Sequence, residues 1–327
     1  MNYFVCKLRF SAPVHFGGSS ALPLLQAAAS FGADTLFSAL CHTALLSGGD
    51  AAVKRLCTAV GTGALLFSDG FPWREESGND ALYLPRPILN PVQRAEISPA
   101  QRKMVRKVRY IPTAFYEAFL RSLAGGAYLD ITKFSQHFGT FFEQSKAAVP
   151  EHADAEPYFV GLFSFENNCG LYFIMGCTDE ELAQDVSGLL ALLGESGIGG
   201  KVSSGYGKFQ VCDTFDLNGS SNPQTEFLIR SLKANRSAYY IALSSCLPAD
   251  DELDRAIEGA SYQLLRRGGF INDPASCTQP RKKRTQYIFQ SGSVFRTRFQ
   301  GELSVVGETR GHQVYRYNRP LWMGVEL

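Results

Sequence analysis

The stretch Gly197-Ile198-Gly199-Gly200-Lys201-Val202-Ser203-Ser204-Gly205-Tyr206-Gly207-Lys208-Phe209 decides how this chain is read. Five of its thirteen residues are glycine, which permits positive φ and a close approach of main-chain N–H groups to a ligand. Lys201, Lys208, Ser203, Ser204 and Tyr206 stand among them, a mixture suited to a phosphate and sugar backbone rather than to an apolar partner. The loop reads as a cradle for an extended anion. The alternative is a surface turn that holds nothing, since glycine-rich turns are common.

Upstream, Thr178-Asp179-Glu180-Glu181 predicts a helix start, with a capping hydroxyl followed by acids in the first turn. Leu182, Val186, Leu189, Leu190 and Leu193 recur at helical spacing, and Gly194 is a natural stop. Downstream, Phe209, Val211 and Phe215 share one face of a strand. Helix, glycine loop, strand is the reverse of the familiar nucleotide loops, where a strand feeds the glycines and phosphate rests on the following helix. A Walker loop ending at Lys201 would need glycine at Glu195 and a hydroxyl at Val202, and a dinucleotide fingerprint from Gly197 would need glycine at Val202.

At 327 residues and 45% hydrophobic content, the chain can form two domains and bury a sizeable core. The net charge of +1 announces no nucleic-acid partner by itself, so the distribution of charge has to decide. Eight cysteines, at 6, 41, 57, 169, 177, 212, 246 and 277, never lie closer than eight apart; no CxxC or zinc-finger spacing exists, and they read as buried reduced thiols. No cofactor and no metal site is indicated. Without a signal-like N-terminus or a run of about 18 apolar residues, a soluble cytoplasmic protein is expected.

From the N-terminus, Tyr3, Val5, Lys7 and Arg9 alternate with Phe4, Cys6, Leu8 and Phe10, which predicts a strand with one apolar face. Val14-His15-Phe16-Gly17-Gly18-Ser19-Ser20 follows as a loop, and Asp34 caps a helix to Leu46 with Leu36, Phe37, Leu40, Thr43 and Ala44 on one side. His15 could contact phosphate or act as a base, although a lone loop histidine is more often structural. Leu65–Trp73 reads as strand and turn, and Tyr83-Leu84-Pro85-Arg86-Pro87-Ile88 holds Arg86 on extended backbone.

Between Arg94 and Arg109 stand six cations, Arg94, Arg102, Lys103, Arg106, Lys107 and Arg109, against the single acid Glu96. So many unpaired cations destabilise a fold unless an anion arrives. With Tyr110 adjacent, the segment reads as a nucleic-acid arm projecting from the domain. Phe115–Leu123 is predicted helical and Gly125-Gly126 a break; residues 143–157 read as a polar linker, and 159–165 and 170–176 as a hairpin closed at Asn167-Asn168.

Asn218–Pro223 marks a boundary, beyond which strand (239–243), Pro248 and an Asp250/Asp251-capped helix carrying Leu253, Ile257, Tyr262 and Leu265 repeat the opening pattern. The expected fold is α+β: two tandem ferredoxin-like (RRM-like) domains with antiparallel sheets, residues 1–217 and 236–327, the second shorter. A second basic run, Arg281-Lys282-Lys283-Arg284, follows Arg266 and Arg267, with strands at 287–290, 294–299 and 314–317. The aromatic signature of RNA-recognition motifs is absent, so base stacking on the sheet face is not expected.

The order Phe10-Ser11-Ala12-Pro13-Val14-His15-Phe16-Gly17, Ala33–Leu40, Ser68-Asp69-Gly70-Phe71-Pro72, Tyr83–Pro87, Gly199–Gly207 and Val314-Tyr315-Arg316-Tyr317 resembles the fourth subunit of Csm complexes, RAMP proteins of type III-A CRISPR effectors. The resemblance spans nearly the whole chain. It implies tandem ferredoxin-like folds, a glycine-rich loop at 197–209 and a basic thumb inserted at about 85–112. It also implies a non-catalytic subunit that binds the 5′ repeat-derived tag of the guide RNA and caps the complex between the large polymerase-bearing subunit and the backbone RAMP subunit. Carried over by position, the RNA-binding residues are His15, Arg86, Arg102, Lys103, Arg106, Lys107, Arg109, Gly199, Gly200, Lys201, Ser203, Ser204, Tyr206 and Lys208, with no catalytic residue. Asn318 departs from an expected glycine. The rival reading is a metal-independent endoribonuclease that processes precursor RNA, with His15 as base and Lys201 or Tyr206 stabilising charge.

Overall fold

The computed structural model describes residues 1–17, 24–76, 80–89, 98–148, 154, 156–219, 223–271, 281–309 and 312–326. Arg94, Glu96, Ser19, Ser20 and Cys277 lie outside them. The fold is mixed, with antiparallel sheets and helices packed on them.

The main sheet runs, in spatial order, Phe209–Asp216, Asn2–Phe10, Cys169–Cys177, Phe71–Arg74, Ala81–Pro85 and Tyr110–Pro112, with Leu65–Phe67 also paired to Cys169–Cys177. Its first strand was expected to have one apolar face, yet both faces are covered. Cys6 and Leu8 enter a core with Leu36, Phe37 and Leu40 of the helix Ala33–Thr62 and Val186, Leu190 and Leu193 of the helix Glu180–Ser196. Val5 joins a second core with Ile241, Leu243, Leu321 and Met323 from the C-terminal part. Lys7, on that second face, is buried over the Trp73 ring, 4.2 Å from its centroid, and paired with Asp80. A period-two pattern therefore records one buried face and misses the other when a cation's aliphatic stem is what packs there.

The first helix is longer than its signals. It runs Ala33–Thr62, broken at Gly49, where φ is 64°. Asp34 does not cap it: the cap residue is Gly32, and the Ala33 N–H donates to Asp69 Oδ1 at 2.8 Å. By length and composition alone this helix could cross a membrane. Its break at Gly49 and the buried residues Leu36, Phe37, Leu40, Leu56 and Val60 give it a packing role here. The helix Glu180–Ser196 is capped by Asp179, not Thr178, and stops at Gly197. Gly194 sits inside it because a Cβ there would lie 2.5 Å from the Phe209 carbonyl.

The hairpin expected across Asn167-Asn168 does not form. Glu156–Phe165 pairs instead with Gly139–Ala148, most of which read as linker, in an unbroken register from Gly139↔Phe165 to Ala148↔Glu156. Cys169–Cys177 turns away into the centre of the main sheet, pairing with Asn2–Phe10 on one side and with Leu65–Phe67 and Phe71–Arg74 on the other. All nine of its residues are buried, so alternation cannot distinguish it from a hairpin strand.

In the C-terminal part, Val294–Phe295, Tyr239–Ala242 and Trp322–Val325 form a three-stranded sheet. The expected helix shrinks to Leu253–Ile257, without side-chain capping by Asp250 or Asp251, and Tyr262 and Leu265 fall in or beside a strand, Leu264–Arg267. That strand pairs with Gln286–Phe289, and Leu303–Thr309 with His312–Tyr317. The expected strand 294–299 ends at Phe295. Asn318 needs no glycine-like backbone, since Lys201 is the only described non-glycine residue at positive φ. Its buried side chain donates to Ser304 Oγ at 2.8 Å and Gln286 Oε1 at 3.3 Å.

Candidate nucleic-acid interface

The glycine-rich turn is held in place largely by its own amides. Ile198 N–H donates to the Gly207 carbonyl (3.0 Å), Gly200 N–H to His15 (2.8 Å) and Gly207 N–H to Pro13 (2.9 Å). Ser204 and Gly205 close a short 3₁₀ turn onto the carbonyls of Lys201 and Val202. Gly207 has φ 75°, and a Cβ there would sit 2.1 Å from the Ile198 carbonyl oxygen. His15 is 6% exposed, and its Nδ1 lies 2.7 Å from the Gly161 carbonyl, a distance that makes Nδ1 the protonated nitrogen. Tyr206 is buried against Val160 and Leu162 of the 139–165 hairpin, with its hydroxyl on Gln144 and Lys146 Nζ 4.6 Å from its ring centroid. What the turn shows outward is Val202, Ser203, Ser204, Gly205 and Lys208, with Lys201 half-buried over the Tyr158 ring.

The basic segment is built differently. Ala81–Pro85 and Tyr110–Pro112 pair in the main sheet, and the chain between them makes an excursion that carries the helix Pro99–Lys107. A reciprocal capping box between Ser98 and Gln101 starts that helix, Pro99 fits its first position, and Arg106 and Lys107 sit in its last turn, where the helix dipole favours cations. None of its residues is buried. Arg102, Lys103, Arg106, Lys107 and the adjacent Arg109 have no carboxylate partner among the described residues. Arg86 ties the excursion down: its Nη1 donates to the Val105 carbonyl at 2.6 Å and its N–H to Arg109 at 2.8 Å, and burial pulls its guanidinium below the ordinary arginine value.

Beside this helix opens a cleft of about 880 Å³ between residues of the N-terminal and C-terminal parts of the chain. Arg86, Arg106 and Arg109 line it from the N-terminal part, and Tyr262, Arg266 and Arg267 from the C-terminal part. Its one buried carboxylate, Asp69, is fully engaged, accepting from Ala33 N–H, Ser245 N–H (2.9 Å) and Ser245 Oγ (2.7 Å). Burial pushes the Asp69 carboxyl above the ordinary carboxylate value, against the opposing hydrogen bonds from Ser245 and Ala33 and the charge of Arg267. Arg267 Nη2 lies 3.5 Å from Asp34. The remaining guanidinium groups leave the cleft strongly positive, a form suited to phosphate oxygens.

Residues 235–325 match the family model described as the CRISPR Csm4 C-terminal domain. The CRISPR-system protein Csm4 of Mycobacterium tuberculosis (strain H37Rv) is 33% identical over 95% of this chain and 94% of its own length. The chain belongs to the Csm4 family. The Csm4 of Streptococcus thermophilus is 27% identical over 96% of each chain. Among solved structures, a chain of a Csm3–Csm4 subcomplex of the type III-A CRISPR-Cas interference complex superposes with TM-score 0.61 at 16% identity, covering 99% of both chains. A chain of a Csm1–Csm4 cassette in complex with cA4 superposes with TM-score 0.59 at 18% identity, covering 100% of this chain and 99% of that one. The Csm4 fold thus extends over the full length.

In this Csm4 chain the residues singled out in sequence fall into two groups. His15, Gly199, Gly200, Lys201, Ser203, Ser204, Tyr206 and Lys208 assemble around the glycine turn, and Arg86, Arg102, Lys103, Arg106, Lys107 and Arg109 around the basic helix. The backbone from His15 to Gly17 joins them, since His15 receives the Gly200 amide and Gly17 lines the cleft. Sequence reasoning missed Tyr262 and the part played by Arg266 and Arg267, which reach the cleft across a tertiary contact; the one signal in the chain was their place in a cation-rich stretch.

Proposed function

We propose that this chain is the non-catalytic RNA-binding subunit of a type III-A CRISPR Csm interference complex in the cytoplasm. It holds the 5′ repeat-derived tag of the guide RNA and caps the backbone beside the large polymerase-bearing subunit and the backbone RAMP subunit. The observation that carries the reading is the cleft bordered by Arg86, Arg106, Arg109, Arg266 and Arg267, whose buried carboxylate is already engaged by Ala33 and Ser245. Arginine-lined clefts bind RNA backbone with salt-sensitive affinity, and unpaired bases are read by local hydrogen bonds. The solved Csm1–Csm4 and Csm3–Csm4 assemblies that contain similar chains support the two protein partners.

In this reading residues 1–217 form a ferredoxin-like RAMP domain. Its β-α-β-β-α-β elements, Asn2–Phe10, Ala33–Thr62, Phe71–Arg74, Cys169–Cys177, Glu180–Ser196 and Phe209–Asp216, lie in the matching spatial order, and residues 81–165 are inserted in it. Residues of about 85–112 serve as the thumb, and 236–327 as a reduced second domain. Arg102, Lys103, Lys107 and Lys208 contact phosphates; Lys201, Ser203 and Ser204 contact the tag from the tip of the glycine turn, while His15, Gly199, Gly200 and Tyr206 hold that turn in shape.

The endoribonuclease alternative needs His15 as base, and the geometry disfavours it. The ring is buried with Nδ1 on a carbonyl, and the Tyr206 hydroxyl is bound to Gln144. The test is co-expression with guide RNA and partner subunits. The wild-type complex retains the tag-bearing RNA, and exchange of Arg106 and Arg109 for glutamine, or of Lys201, Ser203 and Ser204 for alanine, weakens retention. Unchanged retention in both variants would refute the assignment. Cleavage of repeat RNA in chelator that vanishes in His15→Ala would instead establish the nuclease.

A further inference from the structure

The second basic run of the sequence leads into a β-ribbon that the tag-binding reading uses only where Arg266 and Arg267 border the cleft. Leu264–Arg267 pairs with Gln286–Phe289, and Phe270 bridges Lys282 beyond them. Residues 262–271 and 281–289 hold six cations, Arg266, Arg267, Arg281, Lys282, Lys283 and Arg284, and no acid.

Within the paired strands alternation sorts the side chains; in the flanking residues 281–285 burial does, with Lys283 half-buried and Lys282 and Arg284 exposed. On the inner side Arg267 reaches Asp34, and Gln286 is buried as an acceptor for Arg316. Arg316 is buried too, donating to the carbonyls of Arg267, Gly268 and Arg284. Lys283 is pushed below the ordinary lysine value by burial and by the Arg316 charge. This crowd of cations has Asp34 as its paired acid among the described residues, so the local potential is positive.

The outer side carries Arg266 directly opposite Tyr287. Tyr287 is 60% exposed and Phe270 55%, with Tyr262 and Leu264 exposed nearby. Arg266, Lys282 and Arg284 have no carboxylate partner among the described residues. Large aromatic rings left in water beside unpaired guanidinium and ammonium groups form a stacking surface with an electrostatic track, the pair of features by which single strands are held without base readout. Leu264–Arg267 has no second strand partner, and its residues Leu265, Arg266 and Arg267 line the cleft, so ribbon and cleft form one continuous surface.

We propose that the outer face of this ribbon, centred on Tyr287 and Arg266, is a sequence-tolerant binding track for single-stranded RNA leading away from the cleft. The proposal rests on the RNA-subunit reading for the choice of polymer and on the ribbon's own chemistry for the site. An acidic protein partner would also meet the cations, but charge alone does not account for exposed rings alternating with them.

The test uses the purified full chain and fluorescein-labelled oligouridine, with anisotropy read across a salt series. Lys282→Gln and Arg284→Gln together, with the cleft residue Arg266 left in place, are expected to lower affinity about fivefold and to flatten the log–log salt slope by about 1.4, at roughly 0.7 per lost contact on a single strand. Tyr287→Ala is expected to lower affinity several-fold at an unchanged slope, and Tyr287→Phe to restore it, because stacking needs the ring and not the hydroxyl. Wild-type affinity and slope in the Lys282/Arg284 double variant overturn the proposal, as does equal loss in Tyr287→Phe and Tyr287→Ala. Polyglutamate that competes as well as RNA at equal charge overturns it in favour of an acidic protein. Loss of oligouridine binding by the ribbon variants, with tag RNA still retained by the cleft variants, keeps the ribbon and removes the tag assignment; the converse pattern removes the ribbon alone.

Discussion

The glycine turn and the basic helix are both polar, cationic excursions from the main sheet, yet they satisfy their groups in opposite ways. At the turn, amide after amide donates to a carbonyl of the same chain, and the glycines are required where another backbone segment passes within contact distance. At the helix the backbone is satisfied by ordinary helical bonds and a capping box, while the side chains are left without partners. Glycine content therefore marks internal packing here, and unpaired charge marks an open, positively charged surface.

Several substitutions would break or sharpen that contrast. The largest effect is expected at Gly207, where alanine meets a carbonyl in the left-handed region. Gly207→Ala should lower unfolding free energy by about 3 kcal/mol in chemical denaturation. Gly205, also at positive φ but with nothing within 4 Å of a Cβ, should lose only about 1 kcal/mol. Equal losses would show that close packing is not what those glycines serve.

Asp69 comes next. Asp69→Ala strands two backbone donors and removes the support of a helix start, for about 2 kcal/mol. The buried carboxyl titrates above its unfolded value, so its contribution to stability is present below the ordinary carboxylate pKa and is lost as pH rises through the raised value. Thermal unfolding across that window should show this decline in the wild type and a flatter profile in Asp69→Asn.

At the basic helix, Ser98→Ala removes one half of the capping box and should cost about 1 kcal/mol of local stability, read by amide exchange over Pro99–Lys107. The smallest stability effect belongs to Arg102, Lys103, Arg106 and Lys107. Glutamine at all four should leave the unfolding midpoint nearly unchanged, within about 0.5 kcal/mol per site. RNA retention should fall clearly in the same variant. A large stability change there would mean that the helix packs, contrary to its exposure.

Much of this was legible in the residues. Leu36, Phe37, Leu40, Thr43 and Ala44 mark the buried side of the first helix because a helix with one covered face keeps its period. The helical spacing from Leu182 to Leu193 also stands as read, but the one-faced strand expected from Phe209 does not: a register shift opposite Lys7 and Leu8 leaves Phe209 and Val211 in the core with Leu8 and turns Phe215 into the core with Val5. Cys169–Cys177 was mispaired because a strand covered on both faces has no alternation to specify its partner. Gly139–Ala148 looked like linker because Glu143 and Ser145 are exposed and the polar Gln144 and Lys146 pack their side chains on Tyr206, so the strand offers little apolar alternation. The positive charge of the cleft was legible, but its location was not: Arg86 and Arg266 become neighbours only through contacts between distant parts of the chain.

The long insertion also governs how the chain is made. Asn2–Phe10 has its registered partners at Leu171–Cys177 and Phe209–Asp216, and the Phe67 amide waits for the hydroxyl of Tyr317. At a synthesis rate of about 5–20 residues per second, the first strand stays unpaired for about 10–35 s on the ribosome. Native contacts this far apart in sequence make folding slow and leave an apolar strand open to misassociation meanwhile. Low temperature during synthesis, or the presence of a chaperone that shields nascent strands, should thus raise the yield of native protein more than any surface substitution.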